Sequence, residues 1–152
     1  MKNIQMKEEP ITHKCALNLS TEISIAIAGA GGTGCALAAS LGRMSKALIS
    51  LLPSYRMHIE IHDPAPVRAA NLGRQPYGTA DIGANKALAL ANVLGMAFPV
   101  ECMVNPGRYK REGQHSEILV ICVDSRAARH SILKELMAPG RNGMQPNYII
   151  DC

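Results

Sequence analysis

The sequence predicts an α/β protein with a Rossmann-like, doubly wound, mainly parallel sheet and helices on both faces. Short β-branched segments alternate with longer segments of helical periodicity, in the order β-α-β-loop-α-β-β-α-β. A glycine-rich turn over 29–34 joins the first strand to the first helix. With 47% hydrophobic and 18% charged residues among 152, the chain has enough apolar material for one core, which excludes a disordered protein.

Three patterns predict the first β-α-β unit. Residues 23–28 are short and rich in isoleucine, as in a buried strand. Leucine and methionine then recur at three- and four-residue spacing, which predicts a helix over 33–52. Residues 57–62 alternate and predict a second strand that leads into Asp63. The prolines that follow predict a loop over 64–77.

A second helix and a weak strand follow this loop. The helix is predicted over 85–95, with Asp81 as its N-cap. Its inward-facing residues are expected to be Leu88, Leu90 and Leu94. Residues 100–104 are apolar enough for a weak strand.

The last third of the chain predicts a strand, a helix and a strand. Residues 118–123 (ILVICV) are typical of a fully buried strand. A helix is predicted over 125–137, and its apolar stripe consists of Ile132, Leu133, Leu136 and Met137. Residues 148–151 predict a final strand. Because a buried strand seldom ends a domain, we expect the domain to continue beyond this chain.

Composition and charge argue against a nucleic-acid or membrane partner. The 16 basic and 12 acidic residues give a net charge of +4, without a Lys/Arg block longer than two, and five residues are aromatic. Residues 23–42 form an uncharged stretch of membrane-spanning length, but four glycines would interrupt a helix there. This balance favours anionic small molecules as ligands.

Cysteine usage and the amino-terminal segment predict a reducing, cytoplasmic setting. The cysteines are odd in number and contain no C-x-x-C, which argues against a disulfide framework or a zinc ribbon. They are Cys15, Cys35, Cys102, Cys122 and Cys152. The first residues lack the apolar core of a signal peptide. Residues 1–20 are polar and aperiodic and predict a flexible arm before one domain over 21–152.

The glycine turn predicts phosphate binding. Gly29, Gly31 and Gly34 satisfy the pattern G-x-G-x-x-G, and Gly32 removes one more side chain from the turn. Between a strand and a helix, such a turn presents free backbone N–H groups and the positive end of the helix dipole to an anion.

Four charged side chains follow strands or lie in the loop near this turn. Asp63, at the end of a strand, is placed to accept hydrogen bonds from ribose hydroxyls, or to cap its own loop. Arg74 and Lys86 suit a triphosphate, or a solvated basic surface. Asp124 follows the strongest strand and is placed to hold Mg²⁺ beside phosphates, or to cap the next helix.

Four segments together resemble the ThiF/MoeB and ubiquitin-activating family of adenylating enzymes. They are AGAGGTGC (28–35), DPAPVRAANLGRQ (63–75), DIGANKA (81–87) and CVDSRAAR (122–129). The stretch before HIEIHD and the ending YIIDC are most similar to the ThiF-related protein of the PRTRC plasmid-associated gene set. The resemblance covers about residues 22–152, the nucleotide-binding half of a family member.

The resemblance implies a role for each candidate residue. Those that would cradle the nucleotide and hold its ribose are Gly29, Gly31, Gly32, Gly34 and Asp63. Those that would contact the triphosphate are Asn71, Arg74 and Lys86. Gln75 would support the loop, and Asp124 would bind Mg²⁺ and join Arg74 and Lys86 in catalysis.

The implied reaction consumes ATP, with Mg²⁺ as cofactor. The C-terminal glycine carboxylate of a ubiquitin-like or sulfur-carrier protein would attack the α-phosphate, giving an acyl-adenylate and pyrophosphate. Because two anions must meet, the cationic side chains would act by charge stabilisation and positioning. The expected partners are that carrier protein and a second copy of the chain in a homodimer.

Two other functions stay open on the sequence. An NAD(P)-dependent oxidoreductase would explain the glycine turn and Asp63, but not Asn71, Arg74, Lys86 or Asp124. A non-catalytic nucleotide-binding or scaffold protein would fit two departures from the family pattern. These are Ala65, where the family has a second acid, and Ser125, where many members have asparagine.

Overall fold

Five parallel strands form one sheet in the computed structural model, which describes residues 21–111, 116–138 and 145–152. The strands are β1 (Glu22–Ala28), β2 (Arg56–His62), β3 (Glu101–Asn105), β4 (Ile118–Ile121) and β5 (Tyr148–Asp151). The helices in these ranges are α1 (Gly32–Leu51), α2 (Lys86–Ala97) and α3 (Arg126–Met137). The predicted arm over 1–20 lies outside the described residues.

The strand order β3-β2-β1-β4-β5 confirms the predicted doubly wound fold. The chain builds outward from β1 to β3, crosses back, and then builds outward again from β4 to β5. Ala28 at the end of β1 pairs with His62 on one side and Ile121 on the other. The residues that follow β1, β2 and β4 therefore meet at one edge of the sheet, on either side of the point where the strand order reverses.

One face of the sheet packs against α1 and α2. Alternate residues of β1 and β2, such as Ile25, Ile27, Ile59 and Ile61, are almost fully buried there. Leucines and alanines of the two helices cover them, including Leu90 at 1% exposure. This alternation explains why the strand predictions from periodicity were confirmed.

The other face packs against α3 and part of the connection after β3. Ala26 and Ala28 of β1 lie beside Leu119 and Ile121 of β4, and the cluster includes Ile132 and Leu136 of α3. Tyr109, from the connection, is buried in the same cluster. Its ring meets the ring of His62 edge-on, with centroids 5.1 Å apart. The two clusters place helices on both faces, as predicted.

Two residues that were predicted to face inward are exposed. Leu88 is 47% exposed because it lies two positions from Leu90, and residues at that spacing do not share a helix face. Met137, at the end of α3, is 80% exposed, whereas Ile132 and Leu136 are buried. The predicted loop after β2 also contains a short 3₁₀ turn over Ala69–Asn71.

The predicted N-cap of α2 was wrong by four residues. The Asn85 side-chain oxygen accepts hydrogen bonds from the Ala87 and Leu88 N–H groups at 2.9 and 3.2 Å. Asp81 instead accepts a hydrogen bond from the Gly78 N–H at 2.8 Å and closes a separate short turn. A turn at Gly83, with φ of +89°, separates the two features.

The Asn85→Ala variant is expected to lose about 1–2 kcal/mol of unfolding free energy. The substitution removes the cap of α2 and also the hydrogen bond from the Asn85 amide to the Asp63 carbonyl oxygen at 2.7 Å. Urea denaturation measures this loss. Asp81→Ala is the matched control, because Asp81 was predicted to cap α2 and does not. A larger loss in Asp81→Ala than in Asn85→Ala would contradict this assignment.

None of the helices in the described ranges has the length and apolar character needed to cross a bilayer. The uncharged stretch over 23–42 is divided between β1, the glycine turn and the first half of α1.

Candidate functional site

A cavity of about 580 Å³ opens at the carboxyl edge of the sheet. Its walls come from the ends of β1, β2 and β4, from the connections after β2 and β3, and from the start of α3. The volume lies in the range of about 300–1,000 Å³ that is usual for small-molecule sites. This is where a doubly wound sheet binds its ligands.

Nine of the ten predicted site residues line this cavity. They are Gly29, Gly31, Gly32, Asp63, Asn71, Arg74, Gln75, Lys86 and Asp124. These residues are spread over 96 positions of sequence, and the fold brings them to one place because they follow neighbouring strands. The tenth, Gly34, does not line the cavity.

The start of α1 is open to a ligand. A side chain added at Gly31 or Gly32 would meet nothing within 4 Å, so the turn leaves room for a group to approach the backbone. The helix has no side-chain cap and no acidic residue in its first turn. Its first N–H groups therefore point into a site where an anion is favoured.

The other two glycines of the motif serve close packing. Gly29 has a φ of +108°, and a Cβ there would lie 3.0 Å from the carbonyl carbon and oxygen of Cys122. A Cβ at Gly34 would lie 1.9 Å from the carbonyl oxygen of Gly29. The missing side chain of Gly34 therefore lets α1 approach the end of β1, while the implied cradling role of its backbone stays a prediction.

Asp63 organises the loops around the cavity. One carboxylate oxygen accepts a hydrogen bond from the Ala30 N–H and the other from the Ala65 N–H, both at 2.7 Å. The loop-capping role that the sequence left open is therefore present. Each carboxylate oxygen has a second lone pair, so Asp63 can also accept a hydrogen bond from a ligand hydroxyl.

Backbone pairing fixes the position of Lys86. Residues on either side of the loop after β2 pair in antiparallel fashion, with a bridge between Pro66 and Asn85. The Lys86 N–H donates to the Ala65 carbonyl oxygen at 2.9 Å. Lys86 is thereby held two residues from Asp63 across the pairing, although it is 23 residues away in sequence.

Asn71 holds the turn that carries Arg74 and Gln75. Its side-chain oxygen accepts a hydrogen bond from the Arg68 N–H at 2.9 Å, and its carbonyl oxygen accepts one from the Gln75 N–H at 3.2 Å. Asn71 is buried, whereas Arg74 is exposed and lines the cavity. The turn therefore presents the guanidinium group while the amide keeps its backbone in place.

Tyr77 links the glycine turn to α2 and was missed in the sequence. Its hydroxyl donates to the Ala30 carbonyl oxygen at 2.8 Å and lies 3.3 Å from the Lys86 carbonyl oxygen. The Cys35 thiol donates to the same hydroxyl at 3.5 Å. Burial raises the pKa of both Tyr77 and Cys35, so both groups are neutral here. No local pattern predicts these contacts, because Tyr77 and Ala30 are 47 residues apart.

Asp124 does not cap the helix that follows it. The Ser125 hydroxyl caps α3 instead, accepting a hydrogen bond from the Ala128 N–H at 3.1 Å. The exposed Asp124 carboxylate lines the cavity. The described residues contain no group of three His, Cys, Asp or Glu side chains that could hold a metal ion. One carboxylate still fits Mg²⁺, which is usually held by one or two carboxylates together with substrate phosphates.

Several further residues line the cavity without having been predicted as site residues, among them Arg108, Tyr109 and Cys122. Arg108 and Tyr109 belong to the connection after β3, and Cys122 directly follows β4. The rule that ligands bind beyond the carboxyl ends of strands was a signal for Arg108 and Tyr109, whereas Cys122 was predicted to lie inside the strand over 118–123. The rule was not applied to β3, because that strand was weakly predicted.

The fold and the cavity define a Rossmann-like α/β protein with a site suited to an anionic ligand. The family model described as "ThiF family" matches residues 5–140, so the chain belongs to the ThiF family. The comparison with curated proteins returns no match.

Solved structures share the fold at low sequence identity. The E. coli tRNA N6-threonylcarbamoyladenosine dehydratase TcdA matches 85% of this chain and 51% of its own, with 18% identity and a TM-score of 0.61. TcdA in complex with ATP matches 68% of this chain and 42% of its own, with 20% identity and a TM-score of 0.55. E. coli MccB with succinimide matches 74% of this chain and 33% of its own, with 17% identity and a TM-score of 0.57. The chain thus spans about half the length of TcdA or less.

Proposed function

We propose that the cavity binds ATP with Mg²⁺ and supports adenylation of a carboxylate. The observation that carries this proposal is that one cavity is lined by the uncapped start of α1, by cationic side chains that include Arg74 and Lys86, and by the exposed carboxylate of Asp124. A dinucleotide site needs the first of these features but not Arg74, Lys86 and Asp124 together. Membership of the ThiF family and the fold shared with ATP-bound TcdA support the same ligand.

The positions of the lining residues suggest how a nucleotide would be oriented in the cavity. The phosphates would lie over the start of α1, where N–H groups and the helix dipole favour negative charge. The ribose would lie beside Asp63, at the end of the neighbouring strand. Arg74 and Lys86 would bind the outer phosphates, since a guanidinium group can donate two parallel hydrogen bonds and an ammonium group supplies a compact charge. Asp124 would hold Mg²⁺ against the phosphate oxygens.

This arrangement suits phosphoryl chemistry by charge and position. A substrate carboxylate oxygen would form a bond to the α-phosphorus, and the bond from that phosphorus to the bridging oxygen would break, releasing pyrophosphate. No proton has to move. Arg74 and Lys86 would offset the repulsion between the two anions and stabilise the charge that develops on the leaving group. Mg²⁺ would supply further charge neutralisation when bound.

We further propose that the carboxylate is the C-terminal glycine of a ubiquitin-like or sulfur-carrier protein, and that two copies of the chain form a homodimer. The resemblance of the NLGRQ and DIGANK segments to adenylating enzymes supports the first statement. We propose the PRTRC-associated subgroup as well, which is supported by the segments most similar to that ThiF-related protein. The non-catalytic alternative would bind ATP without forming pyrophosphate.

The Asp124→Asn variant tests the metal component. In the wild type, Mg²⁺ is expected to tighten ATP binding about tenfold, as one charge-assisted contact of roughly 1.5–3 kcal/mol would do. In Asp124→Asn, ATP binding without Mg²⁺ is expected to be retained and the gain from Mg²⁺ to be lost. Isothermal titration calorimetry with and without Mg²⁺ measures both quantities.

Glu22→Gln is the matched control for this variant. It makes the same change of charge at the amino end of β1, at the opposite edge of the sheet. It is expected to keep the full gain from Mg²⁺. If Asp124→Asn keeps that gain as well, the carboxylate does not hold the metal.

A further inference from the structure

Cys122 and Cys152 directly follow the ends of neighbouring parallel strands. β4 and β5 pair with Ile121 opposite Asp151, and the Cys152 N–H donates to the Ile121 carbonyl oxygen at 3.1 Å. The next two residues in this register are the two cysteines. Neighbouring strands lie about 4.8 Å apart. That spacing falls within the Cα separation of about 4.4–6.8 Å that a disulfide bridges.

The two side chains also project from the same face of the sheet. Residues opposite each other on paired strands share a face, and Cys122 packs with Val120 in the cluster covered by α1 and α2. Burial, and to a lesser extent the neighbouring Cys152 thiol, raises the pKa of the Cys122 thiol to about 12. Both cysteines are free thiols, Cys122 buried and Cys152 exposed. The register therefore places the two free thiols side by side at the ends of neighbouring strands.

Cys122 is in direct contact with the ligand cavity. It lines the cavity, and its N–H donates to the Ala28 carbonyl oxygen at 2.8 Å. Its carbonyl group lies so close to Gly29 that a Cβ there would meet it at 3.0 Å. A shift of the Cys122 backbone toward Gly29 would therefore displace the glycine turn.

We propose that Cys122 and Cys152 form a reversible disulfide, and that this oxidation weakens nucleotide binding in the adjacent cavity. The oxidant is a small-molecule disulfide such as oxidised glutathione. The Cys152 thiolate attacks one of its sulfurs, and one glutathione thiolate leaves. The Cys122 thiol then gives its proton to solvent as its sulfur attacks the Cys152 sulfur of the mixed disulfide, and the second glutathione leaves as a thiolate that takes up a proton. The two protein thiols lose two electrons and two protons, which reduce the oxidant to two glutathione molecules.

Mass spectrometry of the full chain tests the bond itself. After incubation of the reduced chain with oxidised glutathione, the wild type is expected to lose the mass of two hydrogen atoms. Peptide mapping is expected to join Cys122 to Cys152. The Cys152→Ser variant is expected to form no intramolecular bond. The Cys102→Ser variant, changed at a half-buried cysteine on β3, is expected to behave as the wild type. A wild type that accumulates only the glutathione adduct, or links other cysteines, overturns the proposal.

Calorimetry with Mg-ATP tests the effect on the cavity, which rests on the proposed function. The oxidised chain is expected to bind at least about fivefold more weakly than the reduced chain. Dithiothreitol is expected to restore the affinity, and Cys152→Ser is expected to show no change with oxidant. Equal Mg-ATP affinities of the oxidised and reduced chains overturn the proposal that the disulfide weakens nucleotide binding. If the reduced chain does not bind Mg-ATP, the proposed function and this effect on binding both fail, while the mass measurement still decides the disulfide.

Discussion

Replacing Arg74 or Lys86 with alanine is expected to weaken ATP binding at least about tenfold and to change AMP binding by less than about threefold. Arg74 lines the cavity from the connection after β2 and Lys86 from the first residue of α2, and the proposed position of the α-phosphate lies over the start of α1. If the two cations bind the β- and γ-phosphates, removing either one changes AMP binding little, because AMP has neither of these phosphates. A charge-assisted hydrogen bond of roughly 1.5–3 kcal/mol accounts for the expected loss with ATP.

Calorimetric titration of each variant with ATP and with AMP measures this difference. Arg43→Ala is the matched control, because it removes an exposed guanidinium group from α1 that donates to Ser40 and does not line the cavity. It is expected to bind both nucleotides as the wild type does. Equal losses for ATP and AMP in the Arg74 and Lys86 variants would contradict their placement at the outer phosphates.

The Gly34→Ala variant is expected to lose about 3 kcal/mol of unfolding free energy, the upper end of the usual cost of overpacking. Its new Cβ would lie 1.9 Å from the Gly29 carbonyl oxygen, a backbone atom that cannot rotate away. Relief of this overlap requires α1 to move away from the end of β1, where the core is tightly packed. Typical domains are stable by only about 5–15 kcal/mol, so the loss is a large fraction of the total. Urea denaturation measures it.

Gly32→Ala is the matched control for this variant. It lies in the same helix, and its added Cβ would meet nothing within 4 Å. Its unfolding free energy is expected to stay within about 0.5 kcal/mol of the wild type. ATP binding is expected to weaken, because the new methyl group occupies the space above the turn. Similar stabilities of Gly34→Ala and Gly32→Ala would refute the packing role of Gly34.

The fold could be predicted because its determinants are local. The isoleucine-rich β1, the alternating β2 and the glycine turn are patterns of neighbouring residues, and their order fixes a doubly wound sheet. The prediction of the α2 N-cap failed because the local sequence offers two suitable capping residues. Asp81 and Asn85 are both acceptable N-caps, and the turn at Gly83 decides between them.

The residues of the candidate site could be predicted from the sequence, but the contacts that hold them in position could not. The glycines, Asp63 and Asp124 follow predicted strands, so the topology alone places them at one edge of the sheet. The contacts that position them cross long sequence separations. The Tyr77 hydroxyl on the Ala30 carbonyl and the pairing of Ala65 with Lys86 have no signature in the sequence around either partner. The pairing of Cys122 and Cys152 likewise depends on the strand register.

The choice between ATP and a dinucleotide is the central claim, and calorimetric titration of the chain with Mg-ATP and with NAD tests it most directly. Arg74→Ala and Asp124→Ala are titrated beside the wild type. The account predicts saturable Mg-ATP binding by the wild type, a marked loss in both variants and no heat of binding with NAD. Saturable NAD binding that neither substitution affects would contradict it.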